Sequence, residues 1–210
     1  MAEKGAIMRL SVLIPAYNPP GGYLDAMLAS LTKQSAKHPG VEVIVVDDGS
    51  EKSLEWVERY PIVRWVRKEN GGEGSARNRC LAEASGEYIQ FFDADDQITD
   101  DCLDIIFENI DAGYDWVSYN WVADGVSGCK WQRRDTPFLN CAVWPYTFRR
   151  SFVEGVKFIE GMPVGCDTIW LDSLPKGGKH RHDPRVFYNY RWAGNEGSLC
   201  HRNLRGEFKK

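Results

Sequence analysis

The apolar positions of the chain switch between two periods. Residues 10–16 (LSVLIPA) form a short apolar run that stops at the turn Asn18-Pro19-Pro20-Gly21-Gly22. Over 23–34 the apolar residues Leu24, Met27, Leu28 and Leu31 recur at i, i+3, i+4 and i+7, which predicts one buried face of a helix. Residues 41–46 (VEVIVV) are β-branched and nearly continuous, the pattern of a strand covered on both faces of a parallel sheet, and they end at Asp47-Asp48-Gly49-Ser50. A third strand is predicted over 62–66. Helical spacing returns over 72–85 with Ala76, Cys80, Leu81 and Ala84, and Gly86 reads as the helix C-terminal signal before a strand over 88–92. A further helix is predicted to start near Thr99. Strand, crossover and strand in repetition predict an α/β fold: a Rossmann-like, mostly parallel open sheet with helices on both faces.

Beyond about Tyr114 the alternation loosens. WVSYNWVA (Trp116–Ala123) is strand-like, the following stretch is rich in Gly and Arg, and CAVWPYTF (141–148) is aromatic. This half is expected to complete the sheet in an α+β manner, so that residues 1–210 form one domain with halves at about 8–113 and 114–210. No linker and no internal repeat interrupts it. Most of the eight tryptophans fall in the second half. They serve either as core or as a platform on which a sugar ring stacks, and core is the preferred reading.

Composition narrows the class. The chain has 210 residues, 43% hydrophobic and 27% charged, which is ordinary globular usage. A net charge of −4 is the wrong balance for gripping a phosphate backbone, so no nucleic-acid partner is expected. The six cysteines include no CxxC pair and no metal-ligand spacing, and read as reduced cytosolic thiols. The apolar stretch near the start is interrupted by Arg9 and stopped by Pro15, too short for a transmembrane segment. A cytoplasmic protein is expected, with any peripheral membrane association arising through an acceptor or partner.

In open α/β sheets ligands bind beyond the carboxyl ends of the strands. Those positions hold Tyr17-Asn18, Asp47-Asp48-Gly49-Ser50, Glu69-Asn70-Gly71-Gly72 and Asp93-Ala94-Asp95-Asp96. Three carboxylates within four residues repel one another in a partly dry crevice unless a cation neutralises them, and hard oxygen ligands suit Mg²⁺ or Mn²⁺ holding a diphosphate. A solvated, Asp-rich turn is the alternative. A dinucleotide fingerprint is missing: Gly72-Glu73-Gly74 has Arg77 where the third glycine belongs and follows the wrong strand. There is no GxxxxGK[ST] either.

The series SVLIPAYN (11–18), VIVVDDGS (43–50) and NGGEGSARNRCLAEASGEYIQFFDADD (70–96) resembles the family-two nucleotide-sugar glycosyltransferases of the GT-A fold, in order and in spacing. The resemblance is strong over the first half and weaker over the second. It implies metal-dependent, inverting transfer from a nucleoside diphosphate sugar, with a UDP-sugar favoured, and makes 8–113 the donor-binding half and 114–210 the acceptor-binding half. It implies that Pro15 and Tyr17 wall the nucleobase, and that Asp48 with its neighbour Asp47 meets the base edge. Arg77 would lie near the base or diphosphate. Asp93 and Asp95 form a DxD element whose first acid faces ribose or metal ligands and whose second holds Mn²⁺ or Mg²⁺, with Asp96 as an alternative ligand. Without the resemblance, Asp47-Asp48 reads as an Asx turn, and Arg77 as an exposed helix charge paired with Glu73 one turn earlier.

In the second half the resemblance places an acidic pair, usually Glu-Asp, at the start of a helix over the sugar. Here the stretch is Val164-Gly165-Cys166-Asp167, which makes Asp167 the general base and leaves Cys166 where Glu is usual. A helix N-cap is the plainer role for Asp167. Tyr188-Asn189-Tyr190-Arg191 followed by Ser198 resembles a late strand and loop closing over the donor phosphates, which makes Arg191 donor-binding. Of the late histidines, His201 is the candidate metal ligand. The acceptor, whether glycan, lipid-linked or protein, is not named by these residues. Two other readings are a catalytically silent nucleotide-sugar binding module and a sugar-phosphate nucleotidyltransferase. The latter expects a basic Gly-rich loop that Asn18-Pro19-Pro20 does not supply.

Overall fold

The computed structural model describes residues 8–123, 126–127, 138, 142–191 and 205–206. Within them the first half follows the predicted alternation: β1 (Leu10–Ala16), α1 (Tyr23–Ser35), β2 (Val41–Asp47), β3 (Val63–Arg67), α2 (Glu73–Glu83) and β4 (Tyr88–Phe91). A short 3-10 turn at Glu55–Arg59 precedes β3. The first half closes with β5 (Gln97–Ile98) and α3 (Cys102–Asp111), and the second contributes β6 (Trp116–Ala123), β7 (Val126–Ser127), β8 (Tyr146–Arg149), α4 (Cys166–Ser173) and β9 (His180–Tyr190).

These strands form one mixed sheet in the order β3-β2-β1-β4-β8-β6-β9-β5, with β7 paired to β6. The parallel ladders β1–β2, β1–β4, β2–β3 and β6–β9 are long, whereas the antiparallel pairs at β8, β5 and β7 span two or three registers each. The chain winds outward from β1 through β2 to β3, and α2 then carries it back across to β4 on the other side of β1. The carboxyl ends of β1 and β4 therefore flank a topological switch point, where such sheets leave a crevice.

Strand periodicity sorts the core into two layers. Leu10, Val12, Ile14 and Ala16 of β1 pack with Val43 and Val45 of β2 against Leu24, Leu28 and Leu31 of α1 and Leu103 and Ile106 of α3. Leu13, Ile44 and Val46 face the other way, against Ala76 and Cys80 of α2 and Trp170 and Leu171 of α4. Helices thus cover both faces. Trp116, Trp144 and Trp170 are buried, as the core reading expects. Cys80, Cys102 and Cys166 are free thiols, all buried. Cys129, Cys141 and Cys200 lie outside the described residues, as do Trp131 and Trp192.

Gly86 differs from its predicted role. Helix α2 ends at Glu83, Ala84 is already extended, and Gly86 has no left-handed backbone. A Cβ at Gly86 would sit 2.5 Å from the Ser11 backbone nitrogen, so the glycine permits close approach of the β4 entry to β1. No helix among the described residues is long and apolar enough to cross a membrane.

Candidate active site

Two loops at the carboxyl ends of β1 and β2 are tied to each other. The Asn18 amide donates to Ser50 Oγ at 2.9 Å, and Asn18 Oδ1 accepts the Glu51 amide at 2.9 Å, which holds Asn18 at its unusual φ of 44°. Pro15 pairs with Val46 one residue before the end of β1, and Tyr17 projects with 55% of its surface exposed. Asp47 is fully buried and turned inward: its carboxylate accepts the Ser50 and Leu54 amides and Arg67 Nη1, the Asx-type turn of the plainer reading. Asp48 is also buried. Its oxygens accept Lys68 Nζ at 2.6 Å, the Gly71 amide at 3.1 Å and the Gly72 amide at 2.8 Å, so it clamps the loop leading into α2.

The Asp93-Ala94-Asp95-Asp96 turn after β4 is fastened by the far end of β9. Tyr188 Oη donates to Asp96 Oδ2 at 2.5 Å and accepts the Asp93 amide at 3.2 Å. The Arg191 amide donates to Asp96 Oδ1 at 2.8 Å, and Arg191 Nη1 donates to the Asp95 carbonyl at 3.0 Å while the guanidinium lies over the Tyr23 ring. Asp96 is thereby engaged on both oxygens and fully buried. Burial, reinforced by the Asp93 and Asp95 charges, pushes its carboxyl well above the usual range, against the pull of the Arg191 amide and the Tyr188 hydroxyl. Burial pushes the Tyr188 phenol up as well, so it stays a donor. Tyr188 was part of a late-strand motif in the sequence; that its hydroxyl clamps the acidic turn was not readable there.

A buried guanidinium joins this turn to the second half of the chain. Arg77, one turn into α2, is 1% exposed and touches three carboxylates: Glu73 Oε1 at 2.8 Å and Asp93 Oδ1 at 2.9 Å through Nη2, and Asp167 Oδ1 through Nη1. Its plane lies near the rings of Phe91 and Phe158. Burial alone would lower its pKa, but Glu73 and Asp93 more than reverse this and keep it charged. The pairing with Glu73 was legible at i, i+4; the exposure expected of a plain helix charge was not found. Asp167 stands in the first turn of α4, where its Oδ2 accepts the Val143 amide at 3.2 Å, and its side chain remains 14% exposed. Cys166 is fully buried beside it, its thiol donating to Glu73 Oε2 at 3.5 Å. Burial pushes that thiol up to about 12, so it is neutral.

Two acidic groupings compete as a cation site. Glu73, Cys166 and Asp167 converge, but Arg77 already fills their centre and the thiol is protonated, so this trio suits a guanidinium better than a metal. At Asp93 the balance differs. Burial, opposed by Arg77 and reinforced by the Glu73 and Asp95 carboxylates, pushes Asp93 up to about 6. One arginine does not neutralise that corner, and the hard oxygens of Asp93 and Asp95 fit Mg²⁺ or Mn²⁺. Asp96, held by Tyr188 and Arg191, is the less available ligand. His201 and Ser198 lie outside the described residues. His180 and His182 sit at the start of β9, the end remote from Tyr188 and Arg191; His180 stacks on Trp116, and His182 bonds Ser118.

The candidate groups are therefore an exposed aromatic just after β1, a clamped acidic turn after β4, and a carboxylate at the start of α4 that Arg77 ties to that turn. A family model described as Glycosyl transferase family 2 matches residues 11–171. Among curated proteins, YibD of Escherichia coli K12, an uncharacterized glycosyltransferase, is 27% identical over 92% of this chain and 64% of its own length. Staphylococcus aureus TarS, a poly(ribitol-phosphate) beta-N-acetylglucosaminyltransferase, is 38% identical over 46% of this chain and 18% of TarS. The crystal structure of TarS 1-349 in complex with UDP-GlcNAc superposes with a TM-score of 0.74 at 23% identity, over 90% of this chain and 60% of that one. At that identity the likeness speaks for the fold. The chain spans less than two thirds of the length of these relatives.

Proposed function

The chain belongs to glycosyl transferase family 2, and from that premise we propose that it moves a sugar from a UDP-sugar to a hydroxyl acceptor, with inversion and with Asp167 as general base. The observation that carries this reading is the guanidinium of Arg77, which holds Asp93 at the end of β4 and Asp167 at the start of α4 on one buried cation. A donor-side acid and a base-side acid are thereby tied to the two terminal nitrogens of one guanidinium, which favours a fixed relative placement of the two groups.

Each group then has a task. Tyr17 and Pro15 offer flat surfaces to the base, and Asp48 keeps the loop that floors the pocket in place. Asp93 and Asp95 would hold Mn²⁺ or Mg²⁺, which when bound offsets the charge of the departing diphosphate. Arg191, propped over Tyr23 and the Asp95 carbonyl, puts a cation at the same rim. Asp167 takes the proton of the acceptor hydroxyl as its oxygen attacks the anomeric carbon. The Val143 amide and Arg77 orient the carboxylate without enclosing it. The UDP-sugar donor is supported by these site residues and by the UDP-GlcNAc bound in the TarS structure of like fold.

The test is Asp167→Asn. Calorimetry with UDP and Mn²⁺ should give wild-type affinity, while turnover of a panel of UDP-sugars falls by roughly 10²–10⁴-fold, the usual share of general-base catalysis. A rate near wild type would remove Asp167 from the role and leave it as a first-turn acid of α4; the N-cap expected of it is instead Gly165, with no side-chain cap. Absence of any UDP binding would overturn the donor site itself.

A further inference from the structure

Beyond Asp167 and the acidic turn, a third partly open carboxylate adjoins Arg77. Glu73 is the first residue of α2, and its side chain is 26% exposed. Its Oε1 shares Arg77 Nη2 with Asp93 Oδ1, so it neighbours the donor-side acid; its Oε2 accepts the Cys166 thiol, so it also neighbours the start of α4 that carries Asp167. Cys166 itself is buried and neutral and presents no charge to the crevice. On the donor-site reading, Glu73 therefore adjoins both the acid assigned to the diphosphate side and the helix start assigned to the acceptor side.

We infer that Glu73 binds a hydroxyl of the donor sugar and so helps select which sugar is transferred. This rests on the donor-site reading above. The chemistry fits. Around Arg77 three carboxylates share one cation, which leaves negative charge in excess and favours hydrogen-bond donors such as sugar hydroxyls. An ionised carboxylate has about four acceptor positions. Glu73 spends one on Arg77, and a thiol is a weak donor for another.

The test compares UDP with UDP-glucose, UDP-galactose, UDP-GlcNAc and UDP-GalNAc, each with Mn²⁺, by calorimetry on wild type and Glu73→Gln. The contact predicts that one UDP-hexose binds wild type more tightly than UDP, and that Glu73→Gln weakens that hexose about tenfold, or about 1.4 kcal/mol, while UDP stays within about twofold. Monodeoxy versions of the same UDP-hexose then identify the hydroxyl: the analogue lacking it binds both proteins equally. If Glu73→Gln weakens UDP and UDP-hexose alike, Glu73 only props Arg77 and the inference is overturned while the donor site stands. If no UDP-hexose binds wild type more tightly than UDP, the inference is likewise overturned. If UDP fails to bind at all, both fail together.

Discussion

Replacing Tyr188 by Phe removes one oxygen from the middle of the site and nothing else. The ring keeps its stacking on Trp144, at 4.5 Å between centroids, and on Phe92, at 5.5 Å. The oxygen, however, closes two bonds at once: a 2.5 Å bond to the buried Asp96 carboxyl and a 3.2 Å bond from the Asp93 amide. Losing a hydrogen bond costs about 0.5–1.5 kcal/mol, and leaving the buried Asp96 oxygen and the Asp93 amide without this partner adds about 1–3 kcal/mol. Tyr188→Phe should therefore lose about 2–4 kcal/mol of stability. For a chain of this size that corresponds to a melting temperature lower by roughly 5–15 °C.

Urea denaturation followed by tryptophan fluorescence measures this, with the slope unchanged if only native contacts are lost. The companion variant Asp96→Asn and the double variant complete a cycle. The two side chains touch, so their effects should fall short of additivity by at least about 0.5–1 kcal/mol. A loss under about 1 kcal/mol in Tyr188→Phe, or strict additivity with Asp96→Asn, would refute the claim that β9 fastens the acidic turn through this hydroxyl.

Three further perturbations separate other parts of the argument. Gly74→Ala improves intrinsic helix propensity by about 1 kcal/mol, yet its Cβ would lie 2.2 Å from the Ile159 carbonyl oxygen, so thermal melting should show net destabilisation. A gain in melting temperature would mean that the loop before α4 yields freely. Asp95→Asn should abolish the Mn²⁺ dependence of UDP affinity in calorimetry while preserving the circular dichroism spectrum; an unaltered metal response would discard Asp95 as a ligand. Asp183 is buried and bonded to Arg185 and Asn109, and although burial would raise its carboxyl, these partners hold it well below the usual range. Its stabilisation is thus complete above the unfolded-state pKa near 3.9 and lost as pH falls below it. Asp183→Asn should be less stable at pH 7 and flatter than wild type between about pH 4 and 2; parallel curves in urea melts across that range would remove Asp183 from the acid response.

The parallel half of the fold was legible because a strand buried on both faces has little choice of residue. The run at 41–46 is β-branched, and β2 occupies Val41–Asp47. In the other half β6 was legible as Trp116–Ala123, but the remaining strands were hidden for two physical reasons. β5, β7 and β8 are two to four residues long and draw their stability from neighbours rather than from pattern. β9 carries His180, Arg181, His182, Asp183, Pro184 and Arg185, a charged, proline-containing stretch that reads as loop. The sheet absorbs it with an irregularity: Tyr119 pairs with Asp183 but Asn120 with Val186, which leaves Pro184 and Arg185 extruded. Asn120 donates to the Pro184 carbonyl, and Arg185 folds back on Asp183. Long-range pairing therefore overrides local composition there.

Within the site the same limit takes a sharper form, because acids of identical type end in different surroundings. Asp96 stands in the same motif as Asp93, and Asp47 and Asp48 in another acidic turn after a strand, and spacing along the chain does not tell them apart. What tells them apart is the set of donors each meets. Asp47 and Asp48 are saturated by backbone amides and by Arg67 and Lys68, and Asp96 by Tyr188 and Arg191, all of which fix loops. Asp93, Asp167 and Glu73 instead share one guanidinium among three carboxylates and keep part of their surface open. Saturation spends a carboxylate on folding; a deficit of donors leaves it ready for a cation, a proton or a hydroxyl. Because that deficit is made by Phe91, Phe158 and α4 converging on Arg77 from distant parts of the chain, it exists only once the chain is folded.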